Sequence, residues 1–517
     1  MSTSARPAVR PARRGASLAT AWLTAALAAA GCAVGPSTDV TPMSPPVSTR
    51  AARAMPQNAR AFLDSLAVAR VSDRPDSAAR SLWTATPLHV QATQDLAWLS
   101  IVRDSTLVAL VQTALVNNRD LQTARARIRE YRAERGVAGA ALFPQISANG
   151  GASTNRAAFG AFAPVQYNAI RATADLSWEL DFWGRNRRQR QAANFDLLGR
   201  EEDTRATTLT LVSDIATTYL QLRASDENLL IAESTRASRE STLELARRRF
   251  GQGLISELDV RQFEAEVADP AARVAQFALQ RAQQENALSL LMGQPAGDIT
   301  RGLPLADVIQ SVTVPDSLPG DLITRRPDVM RAERDLQAAM ARIGVAVANR
   351  LPAVTVTGAY GAQRPTIGTL FTPMGEVYSL QAGLSVPIFN GGRLRNAERA
   401  AQARADEARA QYEQTVLSAL REASDALAGV RLNRDQMVAQ ETRARALATA
   451  ASIAERRYAS GVSSYLEVLD AQRSLFTAQL SLIQAEQQYL AATVQLFRAL
   501  GGSWTVPPDG GAKIRNK

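Results

Sequence analysis

The sequence is poor in the residues that build disulfides, metal centres and many active sites. Its 517 residues include one cysteine, Cys32, and one histidine, His89. One thiol forms no intrachain disulfide, and His89 has no acidic or cysteine neighbours at metal-ligand spacing. A glycine-rich phosphate loop after a predicted strand and a GxSxG motif are also missing. We therefore expect no enzymatic activity, no metal and no cofactor.

Lysine is scarce as well, and the only two lysines, Lys513 and Lys517, lie at the C-terminal end. Arginine therefore carries almost all of the net charge of +10. The arginines are interspersed with Asp and Glu along the chain instead of forming one basic block. This distribution argues against nucleic acid as a partner.

Long apolar runs are also lacking. No segment approaches the roughly 18 apolar residues of a transmembrane helix. If the chain crosses a membrane, it must therefore use β-strands.

The N-terminus has the pattern of a secretory signal. Four arginines precede a short apolar segment, residues 18–30, which ends in LAAAGC. We predict a signal peptide over residues 1–31, lipidation of Cys32, and an N-terminal extension over residues 32–105. Ala33 after the cysteine favours sorting to the outer membrane, by analogy with other bacterial lipoproteins. An ordinary signal peptide with an incidental cysteine is the alternative.

The chain contains one pattern twice. RRFGQGLISELDV, residues 248–260, and RRYASGVSSYLEV, residues 456–468, keep glycine at the same place, and 461 − 253 gives an offset of 208 residues. The same offset relates further pairs without a gap: Asp120 and Asp328, Pro144 and Pro352, Gly184 and Gly392, Gly293 and Gly501. A register kept over such different local patterns predicts a tandem duplication.

Each repeat predicts a β-hairpin, over residues 145–183 and 353–389. Apolar and polar residues alternate there, as is typical of strands with one apolar face. In the first hairpin the other face carries Asp175, Glu179 and Asp181, and we expect this face to meet water. Four strands cannot close a membrane barrel, which begins at about eight, so the chain must oligomerise as a dimer or a trimer.

Each β-hairpin is followed by a long helical segment that folds back on itself. No proline occurs over residues 186–250, which predicts a helix on the order of 100 Å long that needs a coiled-coil partner. In the second repeat a heptad seam runs from Leu466 to Phe497. Gly253 and Gly461 lie at the hairpin tips, where glycine can adopt a left-handed conformation. Pro270 predicts a bend or a break in the first copy only.

Five stretches of the sequence occur together in one known family. They are CAVGP (32–36), LPGDLITRRPDV (318–329), LSVPIFNGGR (384–393), YASGVSSYLEVLDAQRSLF (458–476) and FRALGGSW (497–504). In these stretches the chain resembles the outer-membrane factor family, and more narrowly the lipoprotein (NodT-type) branch of TolC-like efflux proteins. The motifs divide the chain into a first efflux repeat (106–300), a linker (301–317), a second repeat (318–504) and a tail (505–517).

The resemblance implies an α+β membrane protein that assembles as a homotrimer. Its four strands per chain would form one twelve-stranded β-barrel in the outer membrane, continued by a long α-helical coiled-coil tunnel across the periplasm. Such a protein is a passive, gated exit duct for drugs or other small molecules. Its partners would be a periplasmic adaptor (membrane fusion protein), an inner-membrane pump of the resistance-nodulation-division (RND) type, and outer membrane lipids.

The resemblance also implies a gate at the second hairpin tip. Matched residue by residue, Tyr458 would supply a hydroxyl latch, Leu466 an apolar collar and Asp470 an acidic ring. The first repeat has Phe250 and Gln262 where the second has Tyr458 and Asp470. Each gate residue has a plainer interpretation: packing for Tyr458, the heptad core for Leu466 and a solvated charge for Asp470. The arginine partner of the carboxylate is not predicted.

The adaptor would dock at the same tips. Gly253 and Gly461 mark the grooves for docking, and Ser256 and Ser464 beside them offer hydroxyl groups. Two other functions stay open. The duct could serve type I protein secretion or heavy-metal efflux, because in the family the pump selects the cargo. A periplasmic coiled-coil scaffold lipoprotein would explain the helices but not the alternation over residues 171–182.

Overall fold

The computed structural model describes residues 35–36, 104–157, 164–311, 324–460 and 462–502. The predictions for Cys32, Gly461, the signal peptide and the C-terminal tail concern residues outside these ranges. The chain divides into two compact units. A sheet unit contains residues 35–36, Arg129–Leu198 and Glu333–Gln411. A helical unit contains residues 104–128, Gly199–Ala332 and the described chain from Tyr412 onward.

The two halves of the chain repeat one order of elements. The first half contains α1 (Ser105–Asn117), α2 (Arg119–Ala140), β1 (Gln145–Ala157), β2 (Val165–Leu180), α3 (Arg185–Gly251), α4 (Glu257–Leu291) and α5 (Leu305–Ser311). The second half contains α6 (Pro327–Ala348), β3 (Ala353–Arg364), β4 (Glu376–Ser385), α7 (Arg393–Ala459) and α8 (Tyr465–Ala499). Helices α6, α7 and α8 begin and end 208 residues after α2, α3 and α4, as 393 − 185 = 208 illustrates. The predicted duplication is confirmed.

The four strands form one antiparallel sheet in the order β1-β2-β3-β4. The register pairs odd-numbered residues with odd-numbered ones, such as Asp175 with Ser147 on β1 and Ala359 on β3. Because directly opposed residues share a face, the sheet has an odd face and an even face. The odd face carries Asn149, Thr173, Asp175, Glu179, Thr357 and Gln381. The even face carries Ile146, Leu176, Trp178, Val356, Leu380 and Leu384.

Away from the loop ends of the strands the even face is apolar, and its large side chains on β1 and β4 are uncovered within the chain. Ile146 is 75% exposed, Leu380 76% and Leu384 68%. A contiguous exposed apolar surface of this kind marks a contact with lipid or with another protein. The alternation predicted from the sequence therefore separates two chemically different faces.

The strands end earlier than the alternation predicts. β2 ends at Leu180, so the placement of Asp181 on the strand is wrong. Its carboxylate accepts hydrogen bonds from the backbone nitrogens of Asn186 (3.0 Å) and Arg187 (2.8 Å) at the start of α3. A helix start leaves such nitrogens without intrahelical partners, and the carboxylate satisfies two of them. In the second repeat β4 likewise ends at Ser385, before the predicted end at residue 389.

The helical unit has an apolar core that includes most of the predicted heptad seam of α8. Six seam residues are buried, and they are Leu469, Phe476, Ile483, Leu490, Val494 and Phe497. Pro270 lies inside α4, which continues without interruption from Glu257 to Leu291, so the predicted helix break does not occur. None of the helices in the described ranges has the length and the apolar content needed to cross a bilayer.

Candidate gate at the helical hairpin tips

The first hairpin tip joins α3 to α4 through a tight, well-capped turn. Gly253 has the predicted left-handed conformation, with φ +73°. Ser256 and Asp259 form a capping box: the Asp259 nitrogen donates to Ser256 Oγ (3.3 Å), and the Ser256 nitrogen donates to the Asp259 carboxylate (2.9 Å). The Ser256 hydroxyl also donates to that carboxylate (2.8 Å), and these bonds lower the pKa of Asp259. The hydroxyl predicted to meet an adaptor is therefore engaged within its own helix start.

At the second tip, between α7 and α8, the described residues give the start of α8 a weaker cap. Ser464 occupies the N-cap position of α8, but within the described chain its hydroxyl makes no capping bond. Three residues further on, where the first repeat has Asp259, the second has Glu467. The Glu467 carboxylate lies 3.8 Å from Nε of Arg457 instead of bonding back to the cap. The two tips thus differ in how their helix starts are held.

Tyr458 connects the two hairpins. Arg249, near the end of α3, donates from Nη1 to the Tyr458 hydroxyl at 2.6 Å, and its guanidinium lies 5.8 Å from the ring centre. The Tyr458 ring packs edge-on against Tyr465 (5.4 Å between centroids), which packs against Phe263 (4.3 Å). Burial, with the negative charge of Glu266 nearby, raises the pKa of Tyr465 to about 12. The hydroxyl predicted as a latch therefore bonds to an arginine of the first repeat.

Leu466 and Asp470 lie four residues apart on α8 and so share one face of the helix. Leu466 is 61% exposed, and Asp470 is exposed as well. Val468 and Leu469, between them in sequence, are buried. Leu466 therefore does not belong to the core of this chain, and the two candidate gate residues form an exposed pair.

A buried carboxylate joins three helices near the tips. Glu266 on α4 is 5% exposed, and its Oε2 lies 2.9 Å from Nη1 of Arg239 on α3, which is also 5% exposed. Its Oε1 accepts from Nε of Arg473 on α8 at 2.7 Å and also from Nη2 of that residue. Arg239 further donates to the backbone oxygen of Glu266 (2.8 Å) and lies 5.6 Å from the ring centre of Phe476. We call Arg239, Glu266 and Arg473 the charge clamp.

Two of the three acidic residues predicted for the water-facing strand surface lie on the odd face. Asp175 accepts from Nδ2 of Asn149 on β1 at 2.6 Å. Glu179 pairs with Arg185 at 2.5 Å. These hydrogen bonds fix the carboxylates on the polar side of the sheet, whereas Asp181 caps α3.

The sequence analysis did not predict a role for Arg249 or for the three residues of the charge clamp. Only Arg473 could have been noticed, because it interrupts a heptad seam that is otherwise mostly apolar. Glu266 and Arg239 have no charged counterpart 208 residues later, because the corresponding residues are Ser474 and Leu447. Arg249 has a counterpart, Arg457, but nothing in the sequence indicates which tyrosine it meets.

A duplicated chain with a two-faced antiparallel sheet, long helical hairpins and an exposed acidic residue at their tips has the architecture of an outer-membrane channel subunit. The comparisons with known proteins agree. This chain belongs to the outer membrane efflux protein family, whose sequence model matches residues 110–294 and 318–502. The two matches begin 318 − 110 = 208 residues apart.

Individual relatives cover most of the chain. It is 35% identical over 421 residues to the toluene efflux pump outer membrane protein TtgC of Pseudomonas putida, which covers 80% of this chain and 86% of the relative. It is 32% identical over 416 residues to a Salmonella typhimurium protein named "Probable outer membrane lipoprotein SilC" (80% of this chain, 90% of the relative). The structure of the outer-membrane channel OprN superposes with a TM-score of 0.72 at 30% identity, over 79% of this chain and 93% of OprN. The protein is therefore an outer-membrane efflux channel.

Proposed function

We propose that the protein is the passive exit duct of a tripartite system that expels small organic molecules. An RND pump in the inner membrane would supply the energy and select the cargo, and a periplasmic adaptor would connect pump and duct. The toluene efflux relative supports this class of cargo over secreted protein or metal ions.

The duct is a homotrimer in this proposal, and the open sheet is the observation that carries it. β1 and β4 each pair on one side only, and the even face is apolar and exposed. Unpaired strand edges are not tolerated in lipid, and three copies supply twelve strands, enough for a closed barrel. The even face would then contact lipid, and the odd face with Asp175 and Glu179 would line the water-filled lumen.

The gate lies at the hairpin tips. Three copies of Asp470 would form an acidic ring and three copies of Leu466 an apolar collar, because both side chains are exposed in the single chain. Like charges around a narrow pore repel each other and attract cations. The bond from Arg249 to Tyr458 would tie the second hairpin to the first in the closed state.

The adaptor would dock on the apolar residues at the two tips. Leu254 is 68% exposed, Leu258 67% and Val462 70%. Exposed apolar side chains of this size at the end of a hairpin fit a partner with a complementary apolar tip. Ser464, whose hydroxyl makes no capping bond, is better suited than Ser256 to bond to the adaptor.

Lipidation of Cys32 would add a second attachment to the outer membrane. The sequence ending in LAAAGC supports it, as does the name of the SilC relative. An acylated N-terminus anchors a protein to the membrane surface without a spanning helix.

The gate is tested by replacing Asp470 with alanine. Asp470→Ala should widen the resting pore and raise single-channel conductance in planar bilayers, and it should admit vancomycin into cells. Gln262→Ala, at the equivalent position of the first repeat, is the matched control and should change neither. Unchanged conductance and unchanged vancomycin entry in Asp470→Ala would remove this residue from the gate.

A further inference from the structure

Arg473 and Asp470 have the spacing of an ion pair but do not form one. They lie three residues apart on α8, a separation at which opposite charges on a helix meet. Among the described residues, the ion pair of Arg473 is with Glu266 on α4, through both Nε and Nη2. Asp470 does contribute to raising the pKa of Arg473, together with Asp269 on α4, although Glu266 contributes more. Arg473 is therefore near Asp470 while its hydrogen bonds go elsewhere.

The burial of Glu266 explains this choice of partner. Its side chain is 6% exposed, and two helices place an arginine against it, one on each carboxylate oxygen. A buried carboxylate is strongly destabilising when it lacks partners, whereas an exposed one such as Asp470 is stabilised by water. Arg473 satisfies the group that needs it more.

The helical spacing and the exposure of Arg473 leave room for an ion pair with Asp470. The Arg473 side chain is 59% exposed, and its ion pair with Glu266 is the contact that keeps it in place. Arg239, by contrast, is buried and also donates to the Glu266 backbone, so it cannot turn toward the tip. Of the two arginines in the charge clamp, only Arg473 is exposed enough to turn toward Asp470.

We propose that Glu266 is a positioning residue that withholds Arg473 from Asp470 and so keeps the gate carboxylate uncompensated. This proposal rests on the proposed gate. Three uncompensated Asp470 carboxylates make the resting mouth selective for cations, while a released Arg473 would neutralise each of them within its own helix. A residue on the first repeat thereby sets the charge of a gate on the second.

Ion selectivity in planar bilayers, measured as the reversal potential across a KCl gradient, tests this. Glu266→Gln keeps the size of the side chain but weakens its hold on Arg473, so the reversal potential should shift toward zero. Loss of the negative charge of Glu266 could by itself cause such a shift. Glu266→Asp controls for this, because it keeps the charge but shortens the reach, and it should shift the potential in the same direction by less.

The effect must also act through Asp470. In an Asp470→Asn background, adding Glu266→Gln should change the reversal potential no further. An additional shift of the same size in that background would mean that the residues act independently, and would overturn the proposal. A shift that appears only when Asp269→Asn is also present would assign the released arginine to Asp269, and would overturn it too.

The outcomes separate this proposal from the proposed gate. If Asp470→Asn alone shifts the potential but neither substitution of Glu266 does, the gate stands and the positioning role fails. If Asp470→Asn has no effect, the gate itself fails. Each variant is first checked for trimers on unheated gels, and Glu266→Asp, which keeps a negative charge beside Arg239, serves if Glu266→Gln does not assemble.

Discussion

At the scale of single residues, Glu486 on α8 is an acidic group that titrates near neutral pH. Burial, together with the negative charges of Glu227 and Glu441, raises its pKa from 4.5 to about 7. Between these values the folded chain keeps a proton that the unfolded chain has lost. The free energy of unfolding therefore falls as the pH rises through this window.

Glu486→Gln should remove this pH dependence. The amide stays neutral, so the variant should melt at a higher temperature than the parent at pH 8 and at nearly the same temperature at pH 4. Thermal unfolding followed by circular dichroism in detergent measures both. Glu413→Gln, on the exposed side of α7, controls for the loss of one charge and should show no such difference. If the melting temperature of Glu486→Gln still differed between pH 4 and pH 8 as much as that of the parent, the pH dependence could not be assigned to Glu486.

The hydrogen-bond and ion-pair partners of single side chains were the features least predictable from the sequence. Ser256 and Ser464 look equivalent in the sequence, yet only Ser256 has a capping box, because Asp259 reaches back to the cap and the longer Glu467 turns to Arg457. Partner choice in the charge clamp likewise depends on the relative placement of three helices. Such choices depend on tertiary geometry, which periodicity does not encode.

At the scale of elements, α4 and α8 are followed by glycines at equivalent positions, Gly293 and Gly501, which end the two helices in the same way. Both glycines have left-handed conformations, with φ +68° and +79°. A Cβ on Gly293 would lie 2.4 Å from the backbone oxygen of Asn117, at the end of α1. The end of α4 can therefore approach α1 only because this residue lacks a side chain.

Gly293→Ala should destabilise the helical unit more than Gly253→Ala. Each substitution forces a Cβ into the left-handed region at a cost of about 1–2 kcal/mol. Only Gly293 adds a backbone clash, since nothing lies within 4 Å of a Cβ on Gly253. Denaturation midpoints in urea compare the two. Equal midpoints would mean that α1 moves away from a Cβ at residue 293 without any loss of stability.

Elements were predicted well from the sequence, and their ends less well. The strands follow from an apolar period of 2 residues and the heptad seam from a period of 3.5 residues. Both periods can be recognised in the sequence without knowing how the side chains pack. The end of β2 was missed because Asp181 continues the alternation by chance while its carboxylate bonds to the nitrogens that begin α3.

At the scale of the whole molecule, the two faces of the sheet predict opposite outcomes for neighbouring residues on β4. Leu380 lies on the even face and Gln381 on the odd face. Leu380→Arg would place a charge in lipid, at a cost of roughly 2–4 kcal/mol near the bilayer midplane, and should reduce the amount of trimer. Gln381→Arg should leave the trimer intact and lower its preference for cations.

Heat-modifiable migration on gels reports the trimer, and the reversal potential reports selectivity. Normal assembly of Leu380→Arg, with failed assembly of Gln381→Arg, would mean that the two faces have been exchanged. The duplicated plan and the need for several copies were predictable at this scale, because both follow from counting repeats and strands.

The two unpaired edges of the sheet have a genetic consequence. On the proposed trimer, β1 of one subunit completes its ladder only with β4 of the next, so no subunit reaches its final state alone. In a cell that makes equal amounts of parent chains and of chains with one damaged edge strand, the intact edge would still bring the damaged chains into trimers, and most trimers would include at least one damaged copy. Substitutions that damage an edge strand would therefore behave as dominant, whereas those that remove the whole chain would behave as recessive.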